Sequence, residues 1–143
     1  MTKDKVIIAA MAAGDLNSLT PVQIQKLLFL LDKRAAAQLG GPFFNFEPYH
    51  YGPFDRAIYD ELLALADSGL IEIVGTPYSR GRSYRLTAKG LERGKRVLSQ
   101  VSEPVQEFMR KLSSFVRSST FVQLVSAVYR EYPEMRVNSE FNG

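Results

Sequence analysis

The stretch YDELLALADSGLIEIVGTPYSRGRSYRLTAKG, which runs from Tyr59 to Gly90, decides the predicted fold. Its first part carries apolar residues at helical spacing and ends at Ser68-Gly69, where glycine favours the left-handed conformation of a helix C-terminus. Residues 70–73 are mostly leucine and isoleucine, which favours a short strand. Residues 75–83 are rich in glycine, serine and arginine and predict an exposed turn, and residues 84–86 alternate as a return strand.

A second helix is predicted directly after the return strand, because the Thr87 hydroxyl can accept a hydrogen bond from an unpaired backbone N–H. The order helix, strand, basic turn, strand and helix is typical of a winged helix. We therefore predict a mainly α protein with a small β-hairpin, a winged helix-turn-helix with additional C-terminal helices. Residues 1–101 form the predicted winged-helix core, residues 102–133 its C-terminal helical extension within the same domain, and residues 134–143 a flexible tail.

Further helices are expected on both sides of this stretch. The helix that begins at Thr20-Pro21 has an N-cap threonine followed by a proline at the first helical position. Its apolar residues lie on more than one face, so we expect it to be the central core helix. The expected helices cover about residues 3–13, 21–37, 56–68, 88–101, 103–117 and 121–132.

The segment between the second and third expected helices is rich in aromatic residues. Residues 43–54 read FFNFEPYHYGPF, and their two prolines and one glycine exclude a regular helix. We expect an extended, partly buried loop that packs its rings on the second helix. Short strands at residues 44–46 or 49–51 are also compatible with this pattern.

The end of this segment has two interpretations. Residues 51–53, Tyr-Gly-Pro, suit a tight turn that directs the third helix, because glycine can take a positive φ and proline fixes its own φ. The functional alternative is an exposed aromatic patch for a protein partner, formed by Tyr49, Tyr51 and Phe54.

Positive charge is concentrated in one region of the chain. The net charge is only +3, but residues 1–74 carry −3, residues 75–100 carry +6 and residues 101–143 are neutral. Such a patch can attract a polyanion, and the alternative is a solvated basic face. The candidate nucleic-acid-binding residues are Arg56, Arg80, Arg82, Arg85, Lys89 and Arg93.

The helix before the turn argues against simple base reading. Its polar side combines Arg56 with four carboxylates, a net of three negative charges, which would repel DNA phosphates in the major groove. A wing, by contrast, contacts phosphates or the minor groove through residues such as Arg80 and Arg82.

Catalytic, metal and membrane signatures are missing from the sequence. His50 is the single histidine, cysteine is absent, and no glycine-rich phosphate loop occurs. Asp60 and Glu61 are adjacent on a predicted helix, so their side chains point in different directions. No apolar run approaches the length of about 18 residues that a membrane span needs. We therefore predict a cytoplasmic protein that is not an enzyme and has no cofactor, no catalytic residues and no metal site.

Five short motifs carry a family resemblance. Residues 26–28 (KLL), 51–53 (YGP), 58–59 (IY) and 69–71 (GLI) resemble the Panacea or SocA-like antitoxin-associated domains, and residues 129–133 (YREYP) resemble bacterial proteins of the YwgA type. The resemblance implies a cytoplasmic winged-helix-like module without enzymatic activity. It also implies roles found in some members, which are toxin-neutralising antitoxins or adaptors in prophage or defence loci.

Two functional hypotheses follow. The first is a non-enzymatic winged-helix regulator that contacts double-stranded DNA with its basic wing. The second is a protein-interaction module, antitoxin-like or an adaptor, whose partner is a protein such as a toxin. A homodimer is also expected, because the apolar stripes of residues 105–116 and 121–129 exceed what a small winged-helix core needs.

Overall fold

The structure is a computed structural model that describes residues 1–75 and 81–142. It is mainly helical with two small antiparallel hairpins, as the sequence predicts for the class, although one hairpin was expected. The helices are α1 (Lys3–Ala12), α2 (Pro21–Leu39), α3 (Ala57–Asp67), α4 (Ala88–Leu98), α5 (Glu103–Ser118) and α6 (Phe121–Glu131), followed by a 3₁₀ turn (Pro133–Arg136). The strands are β1 (Glu47–Tyr49), β2 (Gly52–Phe54), β3 (Ile71–Val74) and β4 (Ser83–Leu86).

The predicted order of elements between α3 and α4 is confirmed. Gly69 has a φ of +77° directly after α3, in the left-handed region predicted for it. Strands β3 and β4 pair so that Ile71 lies opposite Leu86, and we call this pair the second hairpin. The Thr87 hydroxyl accepts a hydrogen bond from the Gly90 N–H and starts α4, as predicted. The name winged helix stays a prediction.

Two helices, not one, form the centre of the core. Helix α2 begins with a capping box at Thr20 and is buried along most of its length, as predicted. Helix α1 is buried on every side from Val6 to Ala12. Helix α4 approaches α1 very closely, because a Cβ on Gly94 would lie 2.5 Å from the Ile8 carbonyl oxygen, and α2, α3, α5 and β4 also contact α1.

The aromatic segment forms a hairpin rather than the extended loop that we expected. Strands β1 and β2 pair antiparallel around a two-residue turn, and we call this pair the first hairpin. Gly52 has a φ of +109°, which allows the tight turn. The expected packing of rings on the second helix is confirmed, because the centroids of Phe46 and Phe29 lie 5.3 Å apart.

The C-terminal residues, for which the sequence predicts a flexible tail, lie against the first hairpin. The backbone N–H of Glu140 donates to the His50 carbonyl at 2.8 Å, and the Asn138 amide donates to the Pro48 carbonyl at 3.2 Å. The Phe141 ring also contacts the core through aromatic neighbours in α6. These contacts place the segment beside the first hairpin, and its flexibility stays a prediction.

The apolar stripes of α5 and α6 are largely covered within one chain. Leu112, Leu124 and Val128 are buried, and α5 packs on α2. Phe115 and Phe121 remain exposed. The homodimer therefore stays a prediction that rests on fewer apolar residues than the sequence indicates. No helix in the described part of the chain is both long and apolar enough to cross a membrane.

Candidate functional site

A cleft of about 300 Å³ opens between α3 and the second hairpin, and we call it the α3 cleft. Its walls are mainly apolar, and two arginines and one aspartate supply its charges. The first hairpin closes one end with Phe54, so all three elements meet here. The lining residues are Phe54, Arg56, Tyr59, Asp60, Leu63, Ile73, Arg82 and Tyr84.

Arg82 is the most constrained cation of this cleft. Its Nε donates to the Tyr84 hydroxyl at 2.6 Å, and its guanidinium carbon lies 4.9 Å from the centroid of the Tyr59 ring. Stacking on aromatic faces fixes the plane of the guanidinium, a group whose N–H donors match the geometry of carboxylates and phosphates. The half-buried position strengthens such a contact, because the surroundings are less polar than water.

Burial raises the pKa of the Tyr59 phenol, and a hydrogen bond from Gln25 and the nearby charge of Arg82 partly oppose this effect. Tyr59 is therefore a neutral hydroxyl at physiological pH. Its ring lies nearly parallel to the Tyr84 ring, with centroids 6.4 Å apart. The Arg82 guanidinium forms cation–π contacts with both rings.

The exposed stripe of α3 is poor in positive charge. Arg56, Asp60, Ala64 and Asp67 are its exposed residues, at helical spacing along one face. One cation and two carboxylates give this face a net negative charge. The negative charge of α3 therefore still argues against binding of this helix in the major groove of DNA, although Glu61 is only half-exposed.

The arginines around the predicted turn do not form one surface. Arg85 lies opposite Glu72 in the second hairpin, and its guanidinium contacts that carboxylate at 3.0 Å. Arg82 instead contacts Tyr59 and Tyr84, on the other side of the hairpin. Arg82 directly precedes β4, and an odd separation of three residues from Arg85 is consistent with opposite faces of an extended chain. Arg80 lies outside the described residues.

Helix α4 carries the remaining candidate nucleic-acid-binding residues. Lys89 and Arg93 are exposed and one turn apart on α4, whereas their neighbours Gly90 and Gly94 are buried. Two neighbouring cations are already paired, because Arg96 contacts Glu92 at 2.9 Å and Lys95 contacts Asp15 at 3.2 Å. The positive surface of α4 is therefore smaller than its sequence indicates.

The three candidate aromatic residues are brought together. Tyr49 stacks on Phe54 with centroids 4.9 Å apart, and Tyr51 meets Phe121 edge to face at 5.3 Å. Tyr49, Tyr51 and Phe121 are 45%, 41% and 44% exposed, and we call these three the aromatic patch. Phe121 was missed from the sequence, because seventy residues separate it from Tyr51 and only its exposed place at the start of α6 joins them.

Lys26 is a second residue that sequence reasoning missed as a candidate. Only 3% of its surface is exposed, and its Nζ donates to the Pro53 carbonyl at 3.3 Å. Burial lowers the pKa of the Lys26 ammonium to about 7. The available signal was the position of Lys26 in residues 24–31 (IQKLLFLL), directly before five apolar residues of α2, where a charge is unusual.

No family model matches the sequence, and no curated protein matches it. The family resemblance therefore stays a prediction. Two of its motifs do meet in space, because Lys26 donates to Pro53 and packs beside Gly52. Within residues 1–75 and 81–142, no group of three or more histidines and carboxylates could hold a metal ion.

Proposed function

We propose that this protein is a non-enzymatic protein-interaction module that binds its partner through the α3 cleft and the aromatic patch. The observation that carries the proposal is the position of Arg82, which lies on Tyr59 inside a mainly apolar cleft. Protein interfaces favour aromatic and arginine anchors, and both are present here. An antitoxin-like or adaptor role in the cytoplasm remains the expectation from the family resemblance.

The chemistry of the cleft indicates the kind of segment that it binds. Leu63 and Ile73 offer an apolar surface, while Arg56 and Arg82 offer cations at its border. A peptide with a large apolar side chain next to an aspartate or glutamate satisfies both. The carboxylate would pair with a guanidinium already held by an aromatic ring, which reduces the entropy lost on binding.

The test compares arginines on opposite sides of the second hairpin. The wild-type protein and the Arg82→Gln and Arg85→Gln variants are purified with bound proteins from the native host, and these are quantified by mass spectrometry. We expect one dominant partner that Arg82→Gln reduces at least tenfold and Arg85→Gln retains. Equal retention by both variants would exclude the α3 cleft, and circular dichroism melting controls for folding.

DNA binding is a second candidate, supported by the net charge of +6 in residues 75–100. The relevant surface comprises Arg85, Lys89 and Arg93, with Arg80 outside the described residues. The double variant Lys89→Ala, Arg93→Ala should weaken binding to random and specific duplexes alike. The slope of log affinity against log salt should become shallower by roughly 0.9 for each lost phosphate contact. An unchanged slope would remove α4 from the DNA-contacting surface.

A further inference from the structure

A second cavity, of about 190 Å³, lies between α2, α3 and the first hairpin. We call it the Lys26 pocket. Its lining is aromatic on the hairpin side and polar on the α2 side. The lining residues are Val22, Gln25, Lys26, Tyr49, His50, Tyr51, Gly52, Phe54 and Tyr59.

The ammonium of Lys26 has few partners for a buried charge. It carries three N–H donors, and the one described hydrogen bond is the long contact of 3.3 Å to Pro53. No ion pair to Lys26 occurs within the described residues, and no carboxylate belongs to the pocket lining. Desolvation is the single cause of its lowered pKa, which indicates that no described charge lies close enough to compensate.

Buried lysines without a carboxylate are rare in proteins, because the charged form loses its hydration. The first hairpin nevertheless has space for this lysine. Gly52 leaves room for the lysine side chain, because a Cβ there would lie 3.2 Å from the Lys26 Cε and 3.5 Å from Nζ. An apolar side chain would fill the same space at lower cost, so a role for the amine is the simpler explanation.

We propose that the Lys26 pocket binds a small organic carboxylate, with the Lys26 Nζ as its counterion and the tyrosine rings around its apolar body. A carboxylate accepts several hydrogen bonds and pairs with an ammonium strongly where water is excluded. The aromatic walls suit a flat or aliphatic body of about the size of benzoate. The pocket shares Phe54 and Tyr59 with the α3 cleft, and Tyr49 and Tyr51 with the aromatic patch, but the test below uses the protein without a protein partner.

Proton uptake should accompany binding. The ligand-free amine is largely neutral above pH 7, whereas a bound carboxylate favours the charged form. Above that pH the affinity should therefore fall by up to tenfold per pH unit, while benzoate itself remains ionised. The other titratable groups that line the pocket are His50, Tyr49, Tyr51 and Tyr59. Tyr129 of α6 lies close to Gly52, which also lines the pocket.

The experiment uses the whole protein with ¹³C-labelled lysine and follows the Lys26 Cε signal by NMR. Benzoate is the probe, and benzamide is the neutral control of the same shape. We expect saturable binding of benzoate at pH 7, a rise in the Lys26 pKa of at least one unit at saturation, and at least tenfold weaker binding of benzamide. Affinity should decline between pH 7 and pH 9.

Two variants complete the test. Lys26→Met keeps the length of the side chain and removes the amine, so it should abolish benzoate binding. Lys33→Met changes an exposed lysine two turns further along α2 and should leave binding unchanged. Equal binding of benzoate and benzamide to the wild type would overturn the proposal. The absence of benzoate binding at concentrations up to roughly tens of millimolar, the range expected for ligands of this size, would also overturn it. The wild-type comparison decides the question even if Lys26→Met fails to fold.

Discussion

The side-chain amide of Gln25 forms two hydrogen bonds with the backbone of Asp55. Its Nε2 donates to the Asp55 carbonyl at 2.9 Å, and its Oε1 accepts from the Asp55 N–H at 2.9 Å. The Asp55 carboxylate in turn accepts from the backbone N–H groups of Ala57 and Asn45. The Asp55 side chain thus lies at the start of α3, directly before Arg56, and Gln25 fixes the Asp55 backbone to α2. This arrangement orients both α3 and the first hairpin, on which the α3 cleft depends.

Replacement of Gln25 by leucine should destabilise the protein strongly. The volume is nearly kept, but the buried N–H and carbonyl of Asp55 lose their partners, at about 1–3 kcal/mol for each. Chemical denaturation should record this loss in the free energy of unfolding. Gln38→Leu, at an exposed position of the same helix, is the matched control and should change stability by less than about 0.5 kcal/mol. A loss that small for Gln25→Leu would mean that the two hydrogen bonds do not form.

The pKa of Lys26 predicts a stability that rises with pH. The pKa is about 7 in the folded protein and 10.5 for an unperturbed lysine, so the unfolded chain binds more protons between these values. Stability should therefore increase from pH 7 towards pH 10, with a slope of at most about 1.4 kcal/mol per pH unit from this group. Below pH 7 both states are protonated and the contribution of Lys26 is constant.

The measurement compares urea unfolding of the wild type and of Lys26→Met from pH 6 to pH 9. The variant should lose the additional slope and gain relative stability at low pH, where the buried charge costs most. Lys33→Met should follow the wild type. Parallel curves for the wild type and Lys26→Met would show that Lys26 keeps an ordinary pKa.

Gly90→Ala should destabilise the protein although alanine favours helices. A Cβ at this position would overlap the backbone carbonyl oxygen of Leu70, which accepts a hydrogen bond from Thr87. The gain in helix propensity is about 1 kcal/mol, whereas overpacking against backbone costs about 1–3 kcal/mol or more. Thermal unfolding should show a lower midpoint. Gly81→Ala is the control, because a Cβ there meets no atom of residues 1–75 and 81–142 within 4 Å.

Leu62→Ala tests the orientation of α3. Leu62 is 0% exposed in the structure, so the change should cost about 2–5 kcal/mol of unfolding free energy. Leu16→Ala removes the same atoms from a side chain that is 50% exposed and should cost far less. Similar losses for the two variants would mean that α3 presents another face to the core.

The sequence predicts what depends on neighbours along the chain. Thr20, Gly69 and Thr87 mark the helix ends correctly, because caps and left-handed glycines act within three or four residues. Apolar spacing locates the helices for the same reason. The opposite directions of Arg82 and Arg85 are also consistent with the alternation of an extended chain. This inference requires the first residue of β4, which the structure gives as Ser83.

The candidate site depends on contacts between distant residues, and these escaped prediction. Gln25 meets Asp55 thirty residues later, and Phe121 reaches Tyr51 across seventy. The sequence shows that Lys26 lies next to apolar residues of α2. Its burial, however, depends on how the first hairpin packs over α2. A single sequence contains no local pattern for such pairs, because their chemistry becomes visible only after the chain has folded.

The burial of α1 by α4 has a consequence for synthesis of the chain. Seventy-five residues separate the end of α1 from the start of α4, and translation at roughly 5–20 residues per second needs about 4–15 seconds to supply them. During that interval the apolar surface of residues 6–12 has no α4 to cover it. Nascent-chain chaperones should therefore contact this segment first, and release should coincide with the emergence of Gly90 and Gly94.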